Sequence, residues 1–140
     1  MDITSPIVCL SCVKSKKDHP CAAKDMYISP LFKGMFSYAQ SQQPKKIFIL
    51  SAKYGLLKPD DIIEPYEKTL KSMKAVEKRA WTENVLQKLQ QEANLQTDHF
   101  VFLAGMPYRE GLVSYIKSYE IPMEGLSFGR QLQWLAEKNV

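Results

Sequence analysis

Apolar residues in this chain occur as short continuous runs separated by stretches with helical spacing. Pro6–Cys12 (PIVCLSC), Lys46–Ser51 (KIFILS) and Asp98–Ala104 (DHFVFLA) are runs of the first kind. Such runs predict strands that are buried on both faces of a sheet. Pro122–Leu126 is a weaker candidate for a fourth strand.

Helices are predicted between these strands. Ser29 and Pro30 begin the first helix, because serine caps a helix N-terminus and proline fits the first turn. Further helices are expected over Lys68–Ala93, Tyr108–Ser118 and Phe128–Lys138. The buried stripe of the long helix is expected to consist of Met73, Val76, Ala80, Val85, Leu86 and Leu89.

The alternation of strands with helices predicts a parallel sheet, because parallel neighbours need a crossover connection. We therefore expect a single α/β domain over residues 1–140, with a three-layer, Rossmann-like sheet of about four parallel strands and helices on both faces. In such sheets ligands bind outside the carboxyl ends of the strands. The segments that follow the strands are thus the place to look for a site.

Composition narrows the class of protein. The chain has 140 residues, 45% of them apolar and 24% charged, which is typical of one globular domain. Its apolar runs are too short to span a bilayer, and its N-terminus lacks the pattern of a signal peptide. These features predict a cytoplasmic protein without a membrane partner.

The net charge of +4 permits an anionic partner without requiring one. We expect neither a metal nor another cofactor. Cys9, Cys12, His19 and Cys21 are residue types that bind zinc, but the predicted first strand would have to break for them to converge. The cysteines are expected to be reduced thiols.

Each predicted strand is followed by hydroxyl, basic or aromatic side chains, whereas the opposite loops are ordinary polar connections. This asymmetry predicts a binding site at the carboxyl ends of the strands. The candidate substrate-binding residues are Cys12, Lys14, Ser15, Lys16, Ser51, Lys53, Gly55, Tyr66, Gly105, Tyr108 and Arg130.

The residue types at these positions favour a nucleotide-like ligand. Lysines and Arg130 suit phosphate, and tyrosine rings offer faces on which a base can stack. The sequence has no glycine-rich phosphate loop and no serine nucleophile elbow, which disfavours nucleotide hydrolases, dinucleotide dehydrogenases and serine hydrolases. Carboxylates in the loop after the second strand, such as Asp61, could activate water or stabilise a sugar cation.

The segment Tyr54–Tyr66 (YGLLKPDDIIEPY) resembles the signature of the peroxide-stress YaaA family. The remainder of the chain resembles a group of small bacterial and phage domains of unknown function. That resemblance is carried by an opening Ser11–Lys16 (SCVKSK), a helix start at Tyr27–Phe32, the motif Ser51–Gly55 (SAKYG) and a closing Gln131–Leu135 (QLQWL).

Both groups are similar to the domain fused to archaeosine-type tRNA-modifying enzymes and, more distantly, to uracil-DNA glycosylases. The resemblance implies a fold of the glycosylase type and a function connected with nucleic acid. On the YaaA match, the corresponding positions are Tyr54, Gly55, Pro59, Asp61, Pro65 and Tyr66. If the chain is an enzyme, Asp61 and Tyr54 are the candidate catalytic residues: Asp61 would be the acid or base, and Tyr54 would shape the pocket together with Tyr66. The water-activating motif of the glycosylases, Gly-Gln-Asp-Pro-Tyr, is absent after the first strand.

Three functions are consistent with the sequence. The first is an enzyme that processes a nucleobase or nucleoside in DNA or RNA, as an N-glycosylase or a base-modifying transferase. A flipped-out base would then enter the site. The second is a DNA- or RNA-binding module without catalytic activity, and the third is a sensor of free nucleotides.

Overall fold

A five-stranded sheet runs through the centre of the structure, a computed structural model that describes residues 5–140. The strands, in chain order, are β1 (Ile7–Ser11), β2 (Cys21–Ala22), β3 (Lys46–Ser51), β4 (Gly55–Leu57), β5 (Ile62–Ile63), β6 (His99–Phe102) and β7 (Ser118–Glu120). The order in the sheet is β4-β3-β1-β6-β7, and β2 pairs with β5 in a separate antiparallel ribbon.

Helices flank this sheet. They are α1 (Ala23–Met26), α2 (Pro30–Ser41), α3 (Ala75–Glu92), α4 (Met106–Val113) and α5 (Phe128–Lys138), and a 3-10 turn covers Leu70–Ser72. α2 packs on α5, whereas α3 packs on β4 and α4. The arrangement confirms the predicted three-layer, Rossmann-like α/β fold.

β1 is the central strand, and its sequence explains its position. Its five residues are all buried, as expected for a strand covered on both faces. β1 pairs in parallel with β3 on one side and with β6 on the other. These three strands lie within the apolar runs that predicted them. The first helix also begins as predicted, because the Ser29 hydroxyl accepts a hydrogen bond from the backbone N–H of Phe32 at 3.1 Å.

The prediction of a fourth strand over Pro122–Leu126 is wrong. The fourth parallel strand is β7, and residues 122–125 form turns in which Gly125 has a φ of +82°. β7 has only exposed residues, so its sequence carries no apolar signal. His99 instead links β6 to β7, with Nδ1 2.6 Å from the Ser118 hydroxyl and Nε2 3.0 Å from a Glu120 carboxylate oxygen.

The neighbouring boundaries change accordingly. The predicted helix over Tyr108–Ser118 is α4, which begins at Met106 and ends at Val113. An antiparallel edge strand, β4, was not predicted. It follows the turn of residues 52–54 and begins at Gly55, whose φ of +75° lies in the left-handed region that favours glycine.

The predicted long helix begins later than expected. Residues 70–72 form a 3-10 turn, and Met73 is extended with a ψ of 144°, so α3 starts at Ala75. The buried face consists of Trp81, Val85 and Leu89. Val76, which was placed in the buried stripe, is 75% exposed. Spacing of four residues from Trp81 onward sets the buried face, and the Trp81 indole N–H donates to the Ser51 carbonyl at 2.8 Å.

Within residues 5–140, the structure contains no helix of the length and apolarity needed to cross a membrane.

The orientation of α3 can be tested with a pair of alanine substitutions. Leu89→Ala should reduce the free energy of unfolding by about 2–5 kcal/mol, because Leu89 is fully buried and its truncation leaves a cavity. Val76→Ala, the matched control, should change it by less than about 0.5 kcal/mol. Urea denaturation measures both. A larger loss for Val76→Ala than for Leu89→Ala would mean that the helix faces the other way.

Candidate functional site

A cavity of about 950 Å³ opens at the carboxyl ends of β1 and β6. We call it the lysine cavity. Its lining residues come from three segments: Ser11–Lys14 and Lys16 at the end of β1, five of the residues 67–72 around the 3-10 turn, and Gly105, Pro107 and Tyr108 after β6. The position is the one that parallel α/β sheets use for ligands.

Backbone and hydroxyl contacts hold the floor of the lysine cavity. The Cys12 N–H donates to the Leu50 carbonyl at 2.9 Å, which extends the β1–β3 ladder by one residue. The Gly105 N–H donates to the Ser11 hydroxyl at 3.3 Å and thereby joins the ends of β6 and β1. Gly105 is also the N-cap of α4. These contacts fix the two strand ends relative to each other.

Cys12 and Tyr108 form one wall. The Cys12 thiol donates to the Tyr108 hydroxyl at 3.2 Å, and the Tyr108 ring packs edge-on against Trp81 with ring centroids 5.7 Å apart. Burial raises the pKa of Tyr108 above its ordinary value, and the neighbouring Cys12 raises it further. The Tyr108 phenol is therefore protonated at neutral pH.

A buried chain of hydroxyl groups lies behind the cavity. The Ser51 hydroxyl donates to the Tyr66 oxygen at 2.7 Å, and the Tyr66 and Tyr27 oxygens are also 2.7 Å apart. Burial raises the pKa of Tyr27 to about 12 and raises that of Tyr66 as well. Both phenols stay neutral. Their hydrogen bonds with Ser51 anchor the segment that follows β5 to the end of β3.

Lys16 contacts both the buried tyrosines of the hydroxyl chain and the lysine cavity. Its ammonium group lies 4.5 Å from the centre of the Tyr66 ring and 5.9 Å from that of Tyr27, within the range of cation–π attraction. Partial burial lowers the pKa of Lys16, whereas the nearby Cys12 and Glu67 side chains raise it. The two tyrosine rings thus hold Lys16 in a position from which its positive charge can attract an anion in the cavity.

Positive charge dominates the lining. Four lysines line the cavity: Lys14, Lys16, Lys68 and Lys71. Among the described residues that line it, Glu67 is the only one with a carboxylate. Within residues 5–140, none of these four lysines forms a salt bridge. Their charge is therefore available to an anionic ligand.

The structure brings five of the predicted site residues to the lysine cavity: Cys12, Lys14, Lys16, Gly105 and Tyr108. Ser51 and Tyr66 are buried behind it. Lys53, Tyr54 and Gly55 line a separate cavity of about 520 Å³ next to α3. Ser15 and Arg130 are exposed and line neither cavity; the Ser15 carbonyl accepts a hydrogen bond from the Ile28 N–H.

The two residues predicted to be catalytic also lie outside the lysine cavity. An Asp61 carboxylate oxygen accepts the Lys58 backbone N–H at 2.8 Å, which closes a turn. The Tyr54 hydroxyl accepts the Glu64 N–H at 3.1 Å, and the Tyr54 ring packs edge-on against Tyr66. In this structure both side chains make contacts that stabilise the loop.

Sequence reasoning missed the segment 67–72. The sequence predicted that Lys68 and Lys71 belong to the first turns of a helix over Lys68–Ala93, and none of Lys68, Thr69, Lys71 and Ser72 was a candidate site residue. Thr69 caps the 3-10 turn by accepting the Lys71 N–H at 3.3 Å. The sequence did contain a signal of a turn: Thr69 and Ser72 stand between the lysines, and Thr and Ser hydroxyls commonly bond nearby backbone groups in turns.

A third cavity, of about 310 Å³, lies on the other side of Gly105, and we call it the arginine cavity. Arg109 and Glu124 line it together with apolar residues of α2, β6 and the turn that precedes α5. Arg109 is 9% exposed. Its position was not predicted, because a single arginine in a helix normally points to solvent.

The cysteines do not form a metal site among the described residues. Cys9 is fully buried in β1, and burial raises its pKa to about 12, so it stays a neutral thiol. Within residues 5–140, no three His, Cys, Asp or Glu side chains are grouped so that they could hold a metal ion.

The chain matches the model of a known protein family. The model of DUF6884, a family of unknown function, matches residues 7–137. No curated protein matches the sequence significantly.

The hydroxyl chain can be tested with two tyrosine substitutions. Tyr66→Phe should reduce the free energy of unfolding by about 1–3 kcal/mol, because it removes the partner that the buried Ser51 and Tyr27 hydroxyls share. Tyr54→Phe, the control, should cost less, because water can replace its exposed contact with Glu64. Urea denaturation with equal losses for both variants would contradict the proposed anchoring.

Proposed function

We propose that this chain, which belongs to the DUF6884 family of unknown function, processes a nucleobase or nucleoside and holds one nucleotide of DNA or RNA in the lysine cavity. The observation that carries the proposal is the convergence of four lysines on one cavity at the carboxyl ends of parallel strands. Ammonium groups at such a position suit phosphate, which dominates the affinity of proteins for nucleic acids.

The remaining lining fits the sugar and the adjoining parts of a nucleotide. Ser11, Thr69, Ser72 and Tyr108 carry hydroxyl groups that can donate to and accept from a ribose or a phosphate. The Tyr108 ring offers an aromatic face next to these groups. The volume of about 950 Å³ exceeds what an inorganic anion needs and lies within the range of cavities for small organic ligands.

Glu67 is our candidate for the acid or base of the reaction. Its carboxylate lines the cavity next to Lys16, whereas Asp61 caps a turn elsewhere. A carboxylate beside a bound nucleotide can take a proton from water as that water attacks C1′ of the sugar. The C1′–N bond then breaks, and the base leaves with the bonding electrons and takes up a proton from solvent. The resemblance of Tyr54–Tyr66 to the YaaA signature, and of that group to glycosylases, supports the same class of substrate.

The proposal is tested by titrating labelled single- and double-stranded oligonucleotides at low and moderate salt, followed by mass analysis of the bound strand. Binding with a change of mass at one base would establish processing and identify the target. Salt-sensitive binding of an unaltered strand would leave a binding module without catalysis. Absence of binding to oligonucleotides and to free nucleotides at low salt would contradict the proposal.

Two lysine substitutions test the phosphate contacts. Lys14→Ala combined with Lys16→Ala should weaken oligonucleotide binding and reduce the slope of log K against log salt by about 2, roughly one unit for each lost phosphate contact. Lys33→Ala combined with Lys117→Ala makes the same change of net charge on exposed residues outside the cavity. Fluorescence anisotropy measures both. If the two double variants have equal salt slopes, Lys14 and Lys16 do not contact the phosphates.

A pair of carboxamide substitutions separates the two candidate carboxylates. Glu67→Gln should lower the rate of processing by about 10²–10⁴, because the amide cannot take up the proton, while oligonucleotide binding persists. Asp61→Asn should retain the rate, because the asparagine oxygen can still accept the Lys58 N–H. Single-turnover kinetics distinguish them. If Asp61→Asn abolishes processing and Glu67→Gln does not, Asp61 is the catalytic carboxylate and Glu67 is not.

A further inference from the structure

The arginine cavity adjoins the lysine cavity. Both are lined by Ser11, Cys12, Val13 and Gly105, so the end of β1 and the end of β6 border both cavities. The two cavities differ in chemistry. Lysines surround the first, whereas the second has apolar walls and a single pair of opposite charges, Arg109 and Glu124.

Arg109 lines this cavity and has more hydrogen-bond donors than its contacts within the protein use. One N–H, on Nη1, donates to the Ala104 carbonyl at 3.1 Å. Nη2 lies 3.7 Å from a Glu124 carboxylate oxygen, which is an ion-pair distance and longer than a hydrogen bond. A guanidinium group has five N–H donors in a planar fork. The position of Arg109 at the wall of the cavity therefore leaves donors for an acceptor on a ligand.

Glu124 supplies the complementary acceptors. Its side chain is 65% exposed, and it belongs to the turn of residues 122–125 that closes the cavity. The pair thus presents donors and acceptors side by side. A ligand that satisfies both must carry an acceptor edge directly beside a donor edge.

We propose that the arginine cavity binds a guanine base, with Arg109 donating to O6 and N7 and Glu124 accepting from N1–H and the 2-amino group. Arginine recognises guanine through these two acceptors in other proteins. Adenine offers an amino group where guanine offers O6, so it would place a donor against Arg109. Pyrimidines lack N7.

The surroundings of the pair fit a flat, apolar ring system. Leu31, Met35, Phe102 and Met123 line the cavity and can cover the faces of a base. Its volume of about 310 Å³ lies at the lower end of the range for small-ligand cavities, about 300–1,000 Å³. In this proposal the base occupies the arginine cavity and the phosphate lies in the lysine cavity, on the other side of Gly105, which has no side chain.

This inference rests on the proposed function and specifies its substrate. It is tested with 5′-monophosphates of guanosine, inosine, adenosine, cytidine and uridine, and with oligothymidines that carry each of these bases at one central position. All members of a set have equal charge, so the phosphate contribution is constant. We expect guanine to bind most tightly, hypoxanthine more weakly because it lacks the 2-amino group, and adenine about ten- to hundredfold more weakly than guanine.

Glu124→Gln provides a test by gain of affinity. A glutamine amide can accept from N1–H and donate to a 2-oxo group, so this variant should lose affinity for guanosine monophosphate and gain affinity for xanthosine monophosphate. Glu124 is exposed, so the fold should tolerate the change. Glu83→Gln, an exposed residue on α3, is the control with the same change of charge.

The outcomes separate this inference from the proposed function. A guanine preference that Glu124→Gln converts toward xanthine, and that Glu83→Gln leaves unchanged, supports the inference. Salt-sensitive binding with equal affinity for all bases overturns the guanine assignment and leaves the proposed function standing. Absence of binding to every nucleotide and oligonucleotide overturns both.

Discussion

The parallel pairing of β1 with β3 on one side and β6 on the other is the constraint on which the rest of the structure depends. Because the three strands run in the same direction, their carboxyl ends meet at one edge of the sheet. Hydrogen bonds just beyond the strands, from Cys12 to Leu50 and from Gly105 to Ser11, keep those ends in register. The lysine and arginine cavities both open above these contacts.

Two kinds of side chain lie at this edge of the sheet. Neutral, buried groups form the support, namely the hydroxyls of Ser51, Tyr66 and Tyr27 behind the cavity. Charged groups are kept at the surface of the cavities, where a ligand can neutralise them. Lys16 joins the two, because its ammonium group lies over the ring of Tyr66 and its charge faces the lysine cavity. A buried charge without such a partner would be costly.

The sequence predicted the parts of the structure that depend on hydrophobic burial. β1, β3, β6 and the start of α2 at Pro30 lie where apolar runs and a serine cap placed them. β7 was missed because its residues, Ser118–Glu120, are all exposed and are held by contacts with His99. For the site, the exits of β1 and β6 were foreseen. The segment 67–72 and Arg109 were not, because their positions depend on how distant segments pack.

The central claim is that a nucleotide binds above the ends of β1 and β6. The most direct test is a two-dimensional ¹H–¹⁵N NMR titration of the labelled protein with a short single-stranded oligonucleotide. We expect the amide signals of Lys14, Lys16, Ser72 and Gly105 to shift at the lowest oligonucleotide concentrations and by the largest amounts. Shifts confined to residues 53–55 and the adjoining face of α3, or to the opposite edge around Lys45 and Asp98, would contradict it.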